Sequence, residues 1–330
     1  MKTKAIALLS GGLDSILAAQ QVKEEGVEVT ALHFNNPFSV SPEGQKKELL
    51  GKISNQLGLK LNNEALGKDY LSIIKKPKFG YGKNLNPCID CRIYMLRKTK
   101  QYMKSSGASF IVTGEVLGQR PMSQHHKALF DIEKESGLKE MILRPLSAKL
   151  FPETIPEKKG WVERNNLLSI SGRSRKIQLQ LADKYKIKDY FWAGGGCLLT
   201  DSNFCRRLED IIKIDQLNLA NIELLKVGRH FRFGPSFKFI VGRDEKENQK
   251  LDYLKKENDY LFKPIDQAGP TGLGRGKINE SIKELCTKII TRYSSGDQDF
   301  KIRITNDKEK IDEVYKAEMP ENNKYRSFII

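Results

Sequence analysis

Two groups of residues in this 330-residue chain have the types and spacing that chemistry needs. The first is the run Ser10-Gly11-Gly12-Leu13-Asp14-Ser15. It follows an apolar stretch and opens a helical pattern, so backbone N–H groups and the positive end of a helix dipole converge where an anion can be cradled. Glycine lets the backbone approach a phosphate closely. Asp14 would repel a bare phosphate and reads instead as a ligand for Mg²⁺ bound to pyrophosphate. An ordinary glycine turn capped by Ser15 is the alternative. The second group is Cys88 and Cys91, a CxxC at a predicted helix start, with Cys197 far downstream behind a glycine run. Thiolates at a helix N-terminus are stabilised, and a CxxC can bind one metal centre from a single turn. Three cysteines fit a 4Fe–4S cluster with one iron left without a protein ligand. Zinc is the runner-up, with Cys205 as a fourth ligand. Two thiols without function remain the alternative for the CxxC alone.

Further polar segments could contact a substrate. Thr113-Gly114-Glu115 leads into GQRPMSQHH, where Gln119, Arg120, Ser123 and Gln124 are candidates for substrate or triphosphate contact. Arg144 could meet phosphates, and the cluster Arg173, Arg175 and Lys176 is a candidate for binding the phosphates of RNA. For any one of these residues, a polar loop or a solvated helix start is the simpler reading.

These groups need elements to position them. The run KAIALL before the phosphate loop reads as a buried strand and ILAAQQVKEEG as the helix after it. VEVTALHF and SFIVT read as further strands, with KKELLGKISNQLG and RIYMLRKTKQYMKSSG as helices between them. Alternation of this kind predicts an α/β fold, a parallel sheet with helices on both faces, over residues 1–146. Residues 147–225 read as a smaller helical segment completing the active site, including LLSISGRSRKIQLQLADKYKI. Residues 226–330 contain the short runs HFRFG, FKFIVG and YLFKP between turn residues, which predicts a β-rich α+β module. Phe231, Phe233, Phe237 and Phe239 are expected in its core, Cys286 as a core thiol, and the chain end as a loosely held tail.

Composition bounds the functions. There are 57 Lys and Arg against 41 Asp and Glu, a net +16, which attracts a polyanion and points to nucleic acid. Five cysteines, an odd number, argue against a disulfide framework. No apolar run reaches the roughly 18 residues that a bilayer span requires, so the chain reads as a cytoplasmic protein without a membrane partner. Its oligomeric state is left open.

SGGLDS resembles the pyrophosphate loop of the ATP-pyrophosphatase (PP-loop) superfamily, whose members adenylate a carbonyl or carboxyl oxygen. The resemblance implies a sheet of about five parallel strands, with Ser10, Gly11, Gly12, Asp14 and Ser15 around the phosphates of ATP. It also implies His33 and Phe34 near adenine and ribose, and Gly114 and Gln119 in a second nucleotide-contacting loop. Together with Cys88, Cys91 and Cys197, the pattern is similar to the tRNA uridine thiolation branch, the 4-thiouridine and 2-thiouridine synthetases. In that branch the cysteines either ligate a cluster whose open iron carries sulfide or work as a persulfide and disulfide pair. The implied partners are tRNA and a sulfur donor, either sulfide or a sulfur carrier protein. The first strand begins at once, leaving no room for the N-terminal RNA-binding domain of the best-known 4-thiouridine synthetases. Near the other end, Ile240-Val241-Gly242-Arg243 followed by Glu247-Asn248 resembles the RNA-binding domain of NFACT proteins. This implies an RNA contact for Arg243, and the glycine-rich basic loop over 269–277, with Arg275 and Lys277, could follow an RNA phosphate backbone. Two other functions remain open: a PP-loop ligase or amidotransferase-type enzyme acting on a small carboxylate with structural zinc, and a non-catalytic RNA-binding protein on a PP-loop scaffold.

Overall fold

The computed structural model describes residues 2–41, 43–191, 196–295, 300–317 and 324–330. They form two compact units, Met1–Thr200 and Asp201–Ile330. The helical stretch expected over 147–225 is therefore divided between the two units.

In the first unit the chain runs β1 (Lys4–Leu8), α1 (Leu13–Glu24), β2 (Glu28–Asn35), α2 (Glu43–Leu57), β3 (Lys60–Ala65), α3 (Tyr70–Lys75) and α4 (Cys88–Ser106). It continues through β4 (Phe110–Val112), α5 (His126–Ser136), β5 (Ile142–Leu143), α6 (Ile155–Lys158) and α7 (Lys176–Lys184). The five strands pair in the order β3-β2-β1-β4-β5, and every pairing is parallel. Strand alternation explains the layers. Ala5, Ala7, Phe110 and Val112 join one core with Leu13, Ile16 and Leu17 of α1 and Leu50 and Ile53 of α2. Helix α4 packs against β1 and β4, and Ile6 and Ile111 between them are also buried. The expected α/β sheet with helices on both faces is present.

Strand β3 carries no apolar alternation, because KLNNEA is an edge strand with a largely exposed surface. The helix expected over LLSISGRSRKIQLQLADKYKI begins only at Lys176. Upstream of it, Ser171 bridges Leu117 in parallel and the N–H of Gly172 bonds the Leu117 carbonyl at 2.7 Å. Backbone pairing with the 117 segment takes the donors that a helix would need.

In the second unit the order is α8 (Ser202–Lys213), α9 (Leu219–Leu225), β6 (Arg229–Phe233), β7 (Phe237–Val241), α10 (Glu245–Leu254), β8 (Tyr260–Pro264), β9 (Gly272–Gly276), α11 (Glu280–Arg292), β10 (Phe300–Asn306) and β11 (Ile311–Ala317). Its antiparallel sheet has the order β11-β10-β8-β9-β7-β6. One face holds Phe231, Phe237, Phe239, Phe262 and Cys286 with Ile289 and Ile290 of α11, as expected for the phenylalanines and the core thiol. Each fully buried ring stabilises the fold by roughly 1.5–3 kcal/mol. Ile240 and Leu273 face the other way, against Leu224 and Leu251.

The glycine-rich stretch expected as an RNA-tracking loop is largely strand β9. A Cβ on Gly272 would lie 2.5 Å from the Phe239 ring, and one on Gly274 would lie 2.5 Å from the Phe237 ring. These glycines make room for aromatic core packing rather than for phosphate. The chain end is also held: Tyr325 is buried and the N–H of Ile330 bonds the His230 carbonyl at 3.0 Å.

Candidate active site

The phosphate loop leaves β1 and enters α1 as the sequence predicts. Gly11 has φ +83°, a conformation that favours glycine, and a Cβ there would meet the Phe191 ring at 2.7 Å. The Ser15 hydroxyl donates to the Gly12 carbonyl at 2.7 Å and accepts from the N–H of Ser10 at 3.2 Å, which closes the loop on itself. Gly12 caps α1 without a side-chain bond, so the helix start keeps donors for an anion. The N–H of Phe191 bonds the Gly11 carbonyl at 2.8 Å, laying this downstream segment along the loop.

Two side chains from distant segments converge on Asp14. Gln119 Nε2 donates to Asp14 Oδ2 at 2.8 Å, and Arg175 Nη2 lies 3.2 Å from the same oxygen. Asp14 Oδ1 is buried and finds no hydrogen-bond partner among the described residues. A buried carboxylate oxygen left over in this way suits a cation such as Mg²⁺. Gly114 sits against the same turn, where an added Cβ would lie 2.4 Å from the Ser15 nitrogen and 2.5 Å from the Asp14 carbonyl carbon. Gly114 thus determines how closely the end of β4 can approach the loop. His33, at the end of β2, places Nδ1 2.7 Å from the Leu9 carbonyl oxygen. Burial, together with the Lys46 charge, pulls its pKa down to about 4, so the ring is neutral at pH 7. Its Nε2 is buried without a partner among the described residues. Phe34 beside it is buried.

The cysteines form the second centre. The CxxC opens α4, as predicted. The Cys88 thiol lies 3.1 Å from the Ser123 hydroxyl, and the Tyr70 hydroxyl donates to Cys91 Sγ at 3.1 Å. Burial pushes the Cys91 thiol up to about 11. Cys197 pairs with Ser39 in an antiparallel bridge just beyond β2, and the N–H of Leu198 bonds the Phe38 carbonyl at 2.8 Å. The three cysteines share one neighbour. Burial and the charges of Cys91, Cys197 and Cys88 all push the buried Tyr70 hydroxyl far above its usual pKa. Thiol chemistry suits iron or zinc, but no group of three His, Cys, Asp or Glu among the described residues stands ready to hold a metal ion. Most of the glycine run before Cys197, residues 194 and 195, lies outside the described residues. Cys205 is buried on α8, in the second unit.

Glu115 joins the two centres. It is fully buried, with Arg92 Nε 3.1 Å from Oε1, Arg144 Nε 3.0 Å from Oε2 and the Thr113 hydroxyl donating to Oε2 at 3.0 Å. Burial opposes its ionisation, yet the two guanidinium groups overcome this and hold its carboxyl below the usual range. Arg92 directly follows Cys91, so this network ties the cysteine helix to the strand ends beside the phosphate loop. Ser123 and Gln124 are also buried, whereas Arg120 is exposed.

The basic candidates separate. Arg173 and Lys176 are exposed, whereas Arg175 turns in to Asp14. Arg243 forms an ion pair with Glu247. Arg275 is bound by Asp259 and Asn221, and Lys277 is exposed. Sequence reasoning missed Tyr70, because nothing in the spacing of YLSIIK links it to a cysteine helix that begins beyond the next loop.

Residues 1–149 match the family model described as thiamine biosynthesis protein (ThiI), and residues 228–329 match that of the NFACT protein RNA binding domain. Among curated proteins, a probable tRNA sulfurtransferase of Thermoanaerobacter is 35% identical over 121 residues, 35% of this chain and 30% of that protein. One from Thermococcus kodakarensis is 34% identical over 152 residues, 43% of this chain and 36% of that protein. A tRNA-specific 2-thiouridylase of Petrotoga mobilis is 30% identical over 131 residues, 34% of this chain and 35% of that protein. The chain thus spans about a third of the length of these relatives. A solved 4-thiouridine synthetase–RNA complex with bound ATP aligns at TM-score 0.34 and 21% identity over 56% of this chain and 52% of that one, a likeness that supports no inference about function. This chain therefore joins a region similar to the ThiI family, carrying the phosphate loop and the CxxC, to a region similar to the NFACT RNA-binding domain.

Proposed function

We propose that this protein is an ATP-dependent tRNA uridine sulfurtransferase of the cytoplasm, forming 4-thiouridine or 2-thiouridine. The observation that carries the reading is the buried Glu115, whose ion pairs with Arg92 and Arg144 tie the helix that begins with the CxxC to the strand ends beside the loop of Ser10 to Ser15.

ATP would lie with its phosphates on the loop of Ser10, Gly11, Gly12 and Ser15, with Asp14 holding Mg²⁺ to neutralise phosphate charge. His33, neutral and with an unfilled Nε2, would accept a hydrogen bond from the nucleotide near Phe34. A uridine carbonyl oxygen attacks the α-phosphorus, the bond to the β-phosphate oxygen breaks, and pyrophosphate leaves. The carbon now bears an AMP leaving group. Hydrosulfide adds to that carbon, the C–O bond breaks, AMP departs with the oxygen, and the sulfur's proton passes to the ring nitrogen; a carrier protein would supply this hydrosulfide by hydrolysis of its thiocarboxylate, which leaves the carrier as a carboxylate. Positioning and charge stabilisation supply most of the rate. Cys88, Cys91 and Cys197 are the residues that would hold a 4Fe–4S cluster, which when bound supplies an iron without a protein ligand to carry sulfide. Zinc on the same cysteines, or a persulfide pair, is distinguished by metal analysis. The second unit would hold tRNA, with Lys277 and Arg243 at its surface.

The test is anaerobic reconstitution with ATP, Mg²⁺, sulfide and unmodified tRNA, followed by mass spectrometry of the nucleosides. Thiouridine formed together with stoichiometric AMP supports the reading. AMP formed with no thiolated nucleoside on any tRNA rejects it.

A further inference from the structure

The ion pair between Arg175 and Asp14 joins residues 161 positions apart through one carboxylate oxygen, at 3.2 Å. Charge-assisted bonds of this type are usually nearer 2.7–2.9 Å and, for arginine, often bidentate. The contact uses one guanidinium nitrogen and leaves Asp14 Oδ1 buried and unfilled. The backbone beneath Arg175 does not depend on the pair. The N–H of Ile170 bonds the Leu146 carbonyl at 2.8 Å, that of Gly172 bonds the Leu117 carbonyl at 2.7 Å, and the Ser147 hydroxyl donates to the Ile170 carbonyl at 2.6 Å. The turn is stitched to the sheet end beside the phosphate loop, and its arginine side chain is partly exposed.

We propose that Arg175 is a triphosphate ligand, held on Asp14 until nucleotide arrives, rather than an RNA contact like its exposed neighbours Arg173 and Lys176. This rests on the reading of the loop as an ATP site. A divalent cation arriving on Asp14 puts two positive centres on one carboxylate, and their repulsion releases the guanidinium toward the phosphates that the cation brings. A planar five-donor fork suits phosphate oxygens. Gln119, which is neutral, feels no such repulsion and stays on Asp14.

The experiment measures ATP binding to the intact protein by calorimetry, with and without Mg²⁺, for wild type, Arg175→Ala, Arg175→Lys, Asp14→Asn and the Asp14→Asn/Arg175→Ala double variant. Loss of a charge-assisted phosphate contact should weaken MgATP binding in Arg175→Ala by roughly 10- to 100-fold, with tRNA affinity unchanged. Arg175→Lys, which keeps the charge, should fall between. In Asp14→Asn the arginine is released in advance, so metal-free ATP should bind more tightly than to wild type, and most of that gain should vanish in the double variant. MgATP binding unchanged in Arg175→Ala, or a gain that survives in full in the double variant, overturns the assignment. Weakened tRNA binding with normal MgATP binding assigns Arg175 to the RNA surface. Failure of wild type to bind MgATP at all removes the ATP reading and this inference with it, a result unlike any produced by Arg175 alone.

Discussion

The Tyr70 hydroxyl donates a hydrogen bond to the Cys91 sulfur at 3.1 Å, and this one oxygen also feels Cys88 and Cys197. A buried donor aimed at a sulfur favours the thiolate, against the burial that raises the thiol to about 11. In metal-free protein, alkylation of Cys91 by iodoacetamide should therefore climb steeply with pH between about 8 and 11. In Tyr70→Phe it should be several-fold slower at each pH in that range, because the thiolate has lost its donor. Peptide mass spectrometry reads the rate at Cys91 directly, and an equal or faster rate in Tyr70→Phe contradicts the assigned donor.

His33 makes stability depend on pH. Its ordinary value is 6.5 and its folded value about 4, so between these the unfolded chain binds a proton that the folded chain refuses. This contribution is fully present above pH 6.5 and is lost as pH falls toward 4, by at most about 3 kcal/mol. His33→Gln keeps a donor for the Leu9 carbonyl and does not titrate. Wild type should lose more stability on acidification than this variant, by about 1–3 kcal/mol in denaturant midpoints converted to free energy. His230 is buried with its pKa lowered in the same direction, so the difference between the two proteins, not the wild-type slope, is the measure. Parallel pH profiles would show that His33 does not carry the effect.

Gly114→Ala puts a methyl group 2.4 Å from the Ser15 nitrogen, against backbone that cannot rotate away. The loop must shift, at a cost of roughly 1–3 kcal/mol in stability. A displacement of about 1 Å at Asp14 should also slow pyrophosphate release on the order of 100-fold. Thermal unfolding and a pyrophosphate assay read the two effects separately, and normal release would show that the loop has slack.

Arg275 and Lys277 should differ in kind although only one residue stands between them. Asp259 is 1% exposed and receives Arg275 Nε at 2.7 Å, so Arg275→Ala strands a buried carboxylate and should cost about 3–5 kcal/mol. Lys277 is exposed. Lys277→Ala should leave stability unchanged and reduce the salt slope of tRNA binding by somewhat under about 1. An unchanged slope would move the RNA contact elsewhere, with Arg173 and Lys176 tested next.

What the amino-acid sequence alone determined is local. The turn of Ser10 to Gly12 between β1 and α1 was legible because strand, glycine turn and helix are contiguous, and the CxxC at the start of α4 because four residues fit within one helical turn. The alternation of buried strand and helix was enough for the parallel sheet, and the interleaved phenylalanines for the core of the second unit. Strand β3 was not legible, since an edge strand with polar faces has no hydrophobic period to read. The glycine-rich stretch looked like a loop because composition shows the missing side chains and not the Phe237 and Phe239 rings that occupy their space. Only the tertiary structure decided which Arg of SGRSRK meets Asp14, which tyrosine reaches Cys91, and that Glu115 ties the cysteine helix to the strand ends. Those contacts join segments far apart in the chain, and their energy depends on through-space distance and on the exclusion of water, neither of which a linear pattern contains.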